Sequence, residues 1–531
     1  MSIVLSSETR LFINDNGSCG ISDCHSFELV NCIGISGLSQ SKSQRQRQYC
    51  PSTLKYDKFI DTPSVKGVLD TGSFSLAQYL DSEDETYFKT LFDQDAIVDM
   101  QIHIGKCGRA DLFSNYQKAL MLYNVSIDSI TVPNVTSTKS GDTDVMVVES
   151  DASFSTFIEI QDPQLISYTQ DIMSLGPIVG SAYINEYDCS SCLPLNANYF
   201  VQLRFSLGVG TVWLIYTQDK GLTWTEMDIL NALPLDVAKQ IINGQSLREL
   251  TNTTNYSIVI DGFISGNRAT DIGTVLANTI GTTPILSLGG TGFSRIYDTT
   301  SFSDTVFFVG TGNYIDVRSK PTGTPTIFPN TTTSNTEYHA ISTLDGNVFI
   351  AGGTSAIFIH GNIATGEYTE IQVKDEFGVV LLNTIEEVFY LEDNIYLVAT
   401  QAGENYRTCD GGVTWEKMKF FENGCVSAME FFDKYIGYAA FASEQLTGTK
   451  LFQTIDGGRT WKQLGKKGVA IDYPRNYNIR HITIDDDNPN RVTFSGRVAE
   501  DPNLPPAEHC KKLVLWDTVG TGDLGLIIFV E

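Results

Sequence analysis

The sequence predicts a mainly β chain. An N-terminal β-sandwich or barrel with one short α-helix is followed by a long array of repeated β units. Three observations carry this. Gly (45) far outnumbers Pro (16), and 29 Phe with 23 Tyr add to the strand-and-turn composition. An eight-residue motif ending in Trp occurs three times after residue 200. A short apolar run ending in Gly, Ala or Ser recurs from Val201 onward at offsets of about 41 to 56 residues.

Charge excludes whole classes of function. The 531 residues carry 36 Lys+Arg against 63 Asp+Glu, a net of −27. A chain that wraps nucleic acid or binds membranes through basic patches needs the opposite balance. Charged residues are only 19% and apolar ones 42%, so the chain has enough apolar surface to fold. No apolar run approaches the roughly 20 residues of a membrane helix. Met1–Glu8 has no basic n-region or long apolar stretch, so no secretory signal is expected. The ten cysteines are too sparse for a disulfide scaffold.

In the first part, Asn31–Gly37 reads as a strand, and Ser39–Cys50 as a long polar loop carrying Lys42, Arg45 and Arg47. Tyr56–Ile60 is strand-like. Thr71–Leu80 alternates with the period of a half-buried strand. A helix follows: Ser82 and Glu85 form a capping box, acidic residues fill the first turn, and Tyr87, Phe88, Leu91 and Phe92 make one apolar stripe. Strands resume at Ile97–Ile104, Lys118–Ser126 and Asp144–Glu149. No element is assigned to the first 30 residues.

This order of elements, over roughly residues 30–160, resembles the major tail tube protein family of long-tailed phages. The quoted segments are the long polar loop, Gly67–Leu76, the acidic-capped helix ending Phe88-Lys-Thr-Leu-Phe, Ile97–Ile104, and Ala119–Ile130, an apolar strand bending into a polar one. The resemblance implies hexameric rings stacked into a tube that conducts double-stranded DNA. It also implies tape measure and tail terminator partners, and a place in the virion after synthesis in the host cytoplasm. It makes the loop of Lys42, Arg45 and Arg47 an inter-ring contact; the bland reading is a solvated loop. Residues 1–160 hold 12 basic and 21 acidic side chains, a net of −9, leaving −18 for the rest. An acidic lumen would repel phosphate and let DNA slide.

The motif copies are Thr217–Trp224, Thr408–Trp415 and Thr454–Trp461, each fitting [Ser/Thr]-x-Asp-x-Gly-x-Thr-Trp. The Asp (Asp219, Asp410, Asp456) is expected to accept backbone N–H groups across a tight turn. The Gly (Gly221, Gly412, Gly458) takes positive φ. The Trp (Trp224, Trp415, Trp461) buries its ring between sheets. The motif resembles the Asp-box of sialidase-type and sortilin-type β-propellers. Seven apolar runs, starting at Val201, Ser257, Val306, Val348, Ile395, Ile436 and Val492, suggest seven blades, with six as the alternative. Gly525–Val530 is expected to close the ring by joining the first blade. The expected layout is a tail tube domain at 1–160, a connector at 161–198 and a propeller at 199–531.

No catalytic, cofactor or metal site is expected, and the chain reads as a non-enzyme. The Asp-box commits each carboxylate to its own turn. A sialidase would need an arginine cluster, an acid/base Asp and a nucleophile pair, and Gly292–Tyr297 lacks the Pro that follows the corresponding Arg. Cys189 and Cys192 are a single CxxC with no second pair for zinc; free thiols or a disulfide remain open. The combined expectation is a tail tube subunit of a non-contractile tail, with the propeller outside the tube and available to host-surface glycans. The competing reading is a glycan-binding or glycan-cleaving propeller with a β-sandwich adhesion module.

Overall fold

The computed structural model describes residues 9–14, 27–30, 34–40, 71–79, 83–105, 116–131, 147–161, 165–170, 178–185, 198–206, 211–217, 223, 225–228, 247–250, 255–260, 273–279, 285–289, 296–302, 305–310, 314–319, 326–329, 337–375, 377–418, 424–443, 449–464, 477–485, 488–498 and 525–530. The expected strand Tyr56–Ile60 lies outside them. The chain divides into two compact units, Met1–Asp162 and Pro163–Glu531. Both are mainly β.

Unit 1 contains β1 (Thr9–Asn14), β2 (Glu28–Val30), β3 (Gly34–Ser39), β4 (Gly72–Tyr79), α1 (Glu83–Asp93), β5 (Val98–Gly105), β6 (Tyr116–Thr131), β7 (Val147–Phe154) and β8 (Thr156–Gln161). Its sheet runs β2-β1-β5-β6-β7-β4-β3, and β8 also pairs with β6. The long strand β6 serves two halves. Its first half pairs with β5 and β8, and Ser126–Thr131 pairs with β7. One core joins both halves and the helix, with Leu11, Met100, Ile102 and Leu122 meeting Phe74, Leu76, Phe154, Phe88 and Leu91. The helical stripe is narrower than the sequence predicts. Phe88 and Leu91 are buried, but Phe92 is 38% exposed. The unassigned N-terminal residues supply β1 and β2, and β1 sits inside the sheet between β2 and β5.

Unit 2 is a succession of small antiparallel sheets. It opens with β9 (Leu165–Gln170), which is taken up at the end. An eight-stranded sheet then combines two consecutive meanders. The first is β10 (Ile178–Asn185), β11 (Asn198–Ser206), β12 (Thr211–Thr217) and β13 (Thr225–Asp228). The second is β14 (Leu247–Leu250), β15 (Asn255–Ile260), β16 (Gly273–Thr279) and β17 (Ile285–Gly289). One parallel pair, Gly180↔Leu247, joins them.

Five four-stranded sheets follow. They are β18 (Ile296–Phe302), β19 (Thr305–Gly310), β20 (Tyr314–Ser319) and β21 (Thr326–Pro329), then β22 (Tyr338–Thr343), β23 (Val348–Gly353), β24 (Ile357–Asn362) and β25 (Glu367–Gln372). Next are β26 (Ile385–Glu392), β27 (Ile395–Thr400), β28 (Asn405–Thr408) and β29 (Glu416–Lys417), then β30 (Gly424–Phe431), β31 (Gly437–Ser443), β32 (Thr449–Thr454) and β33 (Lys462–Gln463). The last sheet contains β34 (Tyr477–Asp485), β35 (Asn488–Val498) and β36 (Gly525–Val530), with β9 at its edge.

First strands of successive sheets lie beside one another: β14 by β18, β18 by β22, β22 by β26 and β30 by β34. Between β26 and β30, Phe389 meets Phe431 at a tilt of 60°, with ring centroids 5.5 Å apart. The series returns on itself, because β34 also lies beside β10. Each apolar run read from the sequence falls on the second strand of its group: β11, β15, β19, β23, β27, β31 and β35.

Two expectations are corrected. The segment 161–198 is no simple connector, since it contains β9 and β10. Gly525–Val530 does not join the first meander; it stands third in the last sheet, and β9 completes that sheet beside it through pairs such as Tyr168↔Ile528. Joining a strand from each end of unit 2 covers an edge that either would leave open.

Candidate functional site

The Asp-box turns of the last two complete meanders are nearly identical. In the first, Thr408 Oγ1 donates to Asp410 Oδ1 at 2.8 Å and accepts Gly412 N–H at 2.9 Å. Asp410 also accepts the Thr414 N–H at 2.9 Å and its hydroxyl at 2.6 Å. In the second, Thr454, Asp456, Gly458 and Thr460 repeat those four bonds at 2.8, 2.9, 2.8 and 2.6 Å. Gly412 and Gly458 hold φ of +95° and +89°, which an L side chain rarely adopts. The neighbouring hairpin braces each turn: Gly411 N–H donates to Asn394 O, and Gly457 N–H to Tyr435 O. The carboxylates are therefore occupied within their own turns, as the motif predicts.

Each turn packs against the preceding sheet. Trp415 Nε1 donates to Gly412 O at 3.0 Å, and its ring meets Phe358 of β24 edge-on at 5.2 Å. Trp461 repeats the bond to Gly458 O at 2.9 Å, and a Cβ on Gly458 would meet Met418 and Leu397 of the sheet before. Both rings are fully buried.

The two carboxylates nonetheless differ electrically. Burial pushes Asp410 upward, but donors from Thr414, Thr408 and the Val413 backbone outweigh it and hold the group below 3.8. Around Asp456 burial wins, and the carboxyl sits above 3.8 despite Thr460, Thr454 and the charge of Arg407. Burial, with Arg459 adding to it, draws the Arg407 guanidinium down to about 10, so it stays cationic at neutral pH.

The remaining predicted residues are not brought together. Asp219, Gly221 and Trp224 of the first Asp-box, the loop with Lys42, Arg45 and Arg47, and Cys189 and Cys192 lie outside the described residues. Cys409 is disulfide-bonded. Among the described residues, no group of three or more His, Cys, Asp or Glu could hold a metal, and no helix is long and apolar enough to cross a membrane.

Two features went unseen in the sequence. On unit 1, the outward face of β4, β7 and the Ser126–Thr131 half of β6 is a lattice of serine and aspartate. Asp151 accepts Ser75 Oγ at 2.7 Å and Ser129 Oγ at 2.9 Å; Asp128 accepts Ser126 and Ser153 at 3.0 Å each. The Ser75 and Ser129 donors hold the Asp151 carboxyl below its usual value. These strand segments contain no Lys or Arg.

On unit 2, the first strand of every meander carries a β-bulge near its start. The shifts fall at Ile178/Gly180, Leu247/Leu250, Ile296/Asp298, Tyr338/Ala340, Ile385/Glu387, Val426/Ala428 and Ile479/His481. The extra residues include Tyr297, His339, Glu386, Ser427 and Arg480, which share no residue type. Opposite the His339 bulge, Gly352 lets the next sheet approach closely. A Cβ on Gly352 would stand 2.4 Å from Ile385 Cγ2.

No family model matches the chain. The vacuolar protein sorting/targeting protein 10 of Colletotrichum graminicola is 29% identical over 134 residues, which cover 24% of this chain and 8% of that protein. Among solved structures, YCF48 from Cyanidioschyzon merolae aligns at 12% identity with a TM-score of 0.43, covering 68% of this chain and 99% of its own. The WD40 repeats of RRP9 align at 8% identity and a TM-score of 0.40, covering 70% of this chain and 100% of their own.

Proposed function

We propose that this chain is the major tail tube subunit of a non-contractile phage tail, with unit 1 as the ring-forming domain and unit 2 as a seven-bladed propeller. The observation that carries the tube reading is the serine–aspartate face of β4, β7 and β6. It is a sheet face of short side chains, bearing carboxylates and no Lys or Arg on β4, β7 or the Ser126–Thr131 half of β6. A wall of that chemistry repels phosphate and offers DNA nothing to grip. The bent strand β6, shared by two sheet halves over one helix, agrees with the element order that the resemblance rests on.

The blade count is supported by splitting the eight-stranded sheet at its single parallel pair. That gives two meanders, which with the five four-stranded sheets make seven units whose first strands return on themselves. Hexameric rings of unit 1 stack into the tube, with tape measure protein inside and a terminator protein at its end. The propellers stand outside, where they leave no room for a contractile sheath. The loop of Lys42, Arg45 and Arg47 meets the next ring and steers stacking onto an acidic surface.

Electron microscopy of the purified full-length chain tests this. Regular tubes with knobs projecting outward are expected, and deleting 39–50 is expected to leave separate rings. Monodisperse monomers under all conditions that assemble tail tubes would overturn the reading.

A further inference from the structure

We propose that the hairpin of residues 373–382 is a membrane-inserting finger, which seats Phe377, Val379, Val380 and Leu382 in the surface of a zwitterionic phospholipid bilayer. Among the described residues, ten large apolar side chains are exposed, and four of them fall within the six consecutive positions 377–382. Phe377 and Leu382 are the two most exposed of the ten, at 81% and 77%. Single exposed apolar residues are ordinary on a protein surface; a contiguous set is not. Positions 377–382 also carry no polar or charged side chain.

The backbone of the finger suits a medium that offers no hydrogen bonds. Lys374 and Val380 pair antiparallel across the hairpin, and Gly378 at φ +77° closes its turn. Asp375 Oδ1 accepts the Phe377 and Val379 N–H groups at 3.0 and 2.7 Å. Gly378 N–H donates to Asp375 O at 2.9 Å, Asp375 N–H to Val379 O at 2.9 Å, and Leu381 N–H to Val373 O at 3.0 Å. The N–H groups of Asp375, Phe377, Gly378, Val379 and Leu381 are thus satisfied inside the finger, as hydrocarbon demands. A partner that adds a strand would need N–H groups to spare. The base is fixed as well. Val373 N–H donates to Ala356 O, and Gln372 Nε2 donates to Ser355 O at 2.8 Å and Leu381 O at 3.1 Å. A tip ordered in advance loses little freedom on insertion.

Charge selects the lipid. Residues 373–387 carry Lys374 against Asp375, Glu376, Glu386 and Glu387. Anionic headgroups would meet this excess of carboxylates and be repelled, whereas zwitterionic headgroups have no net charge to oppose it. No basic patch is needed, because apolar burial supplies the attraction. The Asp375 carboxylate keeps the insertion shallow: the tip enters the boundary between headgroups and acyl chains while the charge stays among the headgroups. All of these hydrogen bonds lie within residues 355–381, so the finger holds its shape independently of any tube that unit 1 builds.

The test is flotation of the full-length chain with vesicles of phosphatidylcholine, beside vesicles of phosphatidylglycerol. Binding to phosphatidylcholine with little dependence on salt is expected, and weaker binding to phosphatidylglycerol at low salt. Phe377→Ser and Leu382→Ser are each expected to weaken partitioning about tenfold. Leu344→Ser, at an exposed leucine outside the finger, is expected to leave it unchanged. All three positions are exposed, so unaltered thermal unfolding of each variant separates lost binding from lost fold. Phe377→Trp keeps an aromatic tip, and its added emission is expected to shift to the blue on vesicles. No flotation with phosphatidylcholine, flotation with phosphatidylglycerol only, or partitioning indifferent to both Phe377 and Leu382 would overturn the proposal. Self-association without lipid that Phe377→Ser abolishes would assign the finger to a second copy and overturn it as well.

Discussion

Asn124 and Ser155 are hydrogen-bonded across the corner of unit 1, with Asn124 Nδ2 donating to Ser155 Oγ at 3.0 Å. Both mark places where a chain segment passes from one half of the sheet to the other. Asn124 sits within a bulge of β6 at φ +51°. Ser155 separates β7 from β8, and its N–H and hydroxyl both donate to Tyr123 O at 3.0 Å. Asp99 completes the corner by accepting Asn124 N–H at 2.9 Å.

Asn124 is therefore expected to resist most substitutions. Asparagine tolerates the left-handed region that β-branched residues avoid. Asn124→Ala is expected to cost about 1–3 kcal/mol through strain and the lost bond. Asn124→Gly is expected to cost less, since it removes only the bond. Denaturant unfolding of the two variants checks the order.

The buried Trp415 ring ties its sheet to the one before through Phe358, and the buried Trp461 ring packs on Phe431 of its own sheet. Replacing either by Ala is expected to cost about 3–5 kcal/mol. Double substitution of Trp415 and Phe358 is expected to cost less than the sum of the singles, because they share one contact. A double-mutant cycle measured by denaturant unfolding checks it.

Asp410 and Asp456 are expected to give opposite pH dependence. The Asp410 carboxyl lies below 3.8 in the fold, so it contributes stability above that pH, lost as pH falls through the folded value. The Asp456 carboxyl lies above 3.8, so its contribution is full below that pH and is lost as pH rises through the folded value. The cost of Asp410→Asn is thus expected to shrink on acidification below 3.8, and that of Asp456→Asn to grow from neutral pH toward 3.8. Unfolding free energies across that range decide it, and equal slopes for both variants would refute the assignment.

Removing residues 525–531 is expected to open the last sheet. Without β36, both β35 and β9 lose their shared neighbour. Trypsin is then expected to cut after Arg491 and Arg497 in β35, sites that the intact chain protects. Peptide mapping after brief digestion reads the outcome.

Much of this architecture was legible locally. The Asp-box determined its own geometry because every side-chain bond within it, from Thr408 to Trp415 or Thr454 to Trp461, spans at most four residues. The apolar runs marked the second strands because these strands are packed on both faces, as in Ile395–Thr400, where all six residues are buried. The helix was legible from its spacing, though periodicity could not tell that Phe92 would stay exposed.

Elsewhere the deciding partner is distant in sequence. β9 looked like part of a connector because its mate, β36, lies at the other end of unit 2. β1 was missed because its place between β2 and β5 depends on a ladder running Thr9↔Ile104 to Asn14↔Asp99. The bulged residues share no side-chain type, so pattern could not find them; register between paired strands defines them. The opposite behaviour of Asp410 and Asp456 is the plainest case. The sequence by itself determined two identical turns with identical hydrogen bonds. Only the tertiary structure decided that one carboxylate stays near water while the other is enclosed beside Arg407, because solvation depends on what the rest of the chain places over a group.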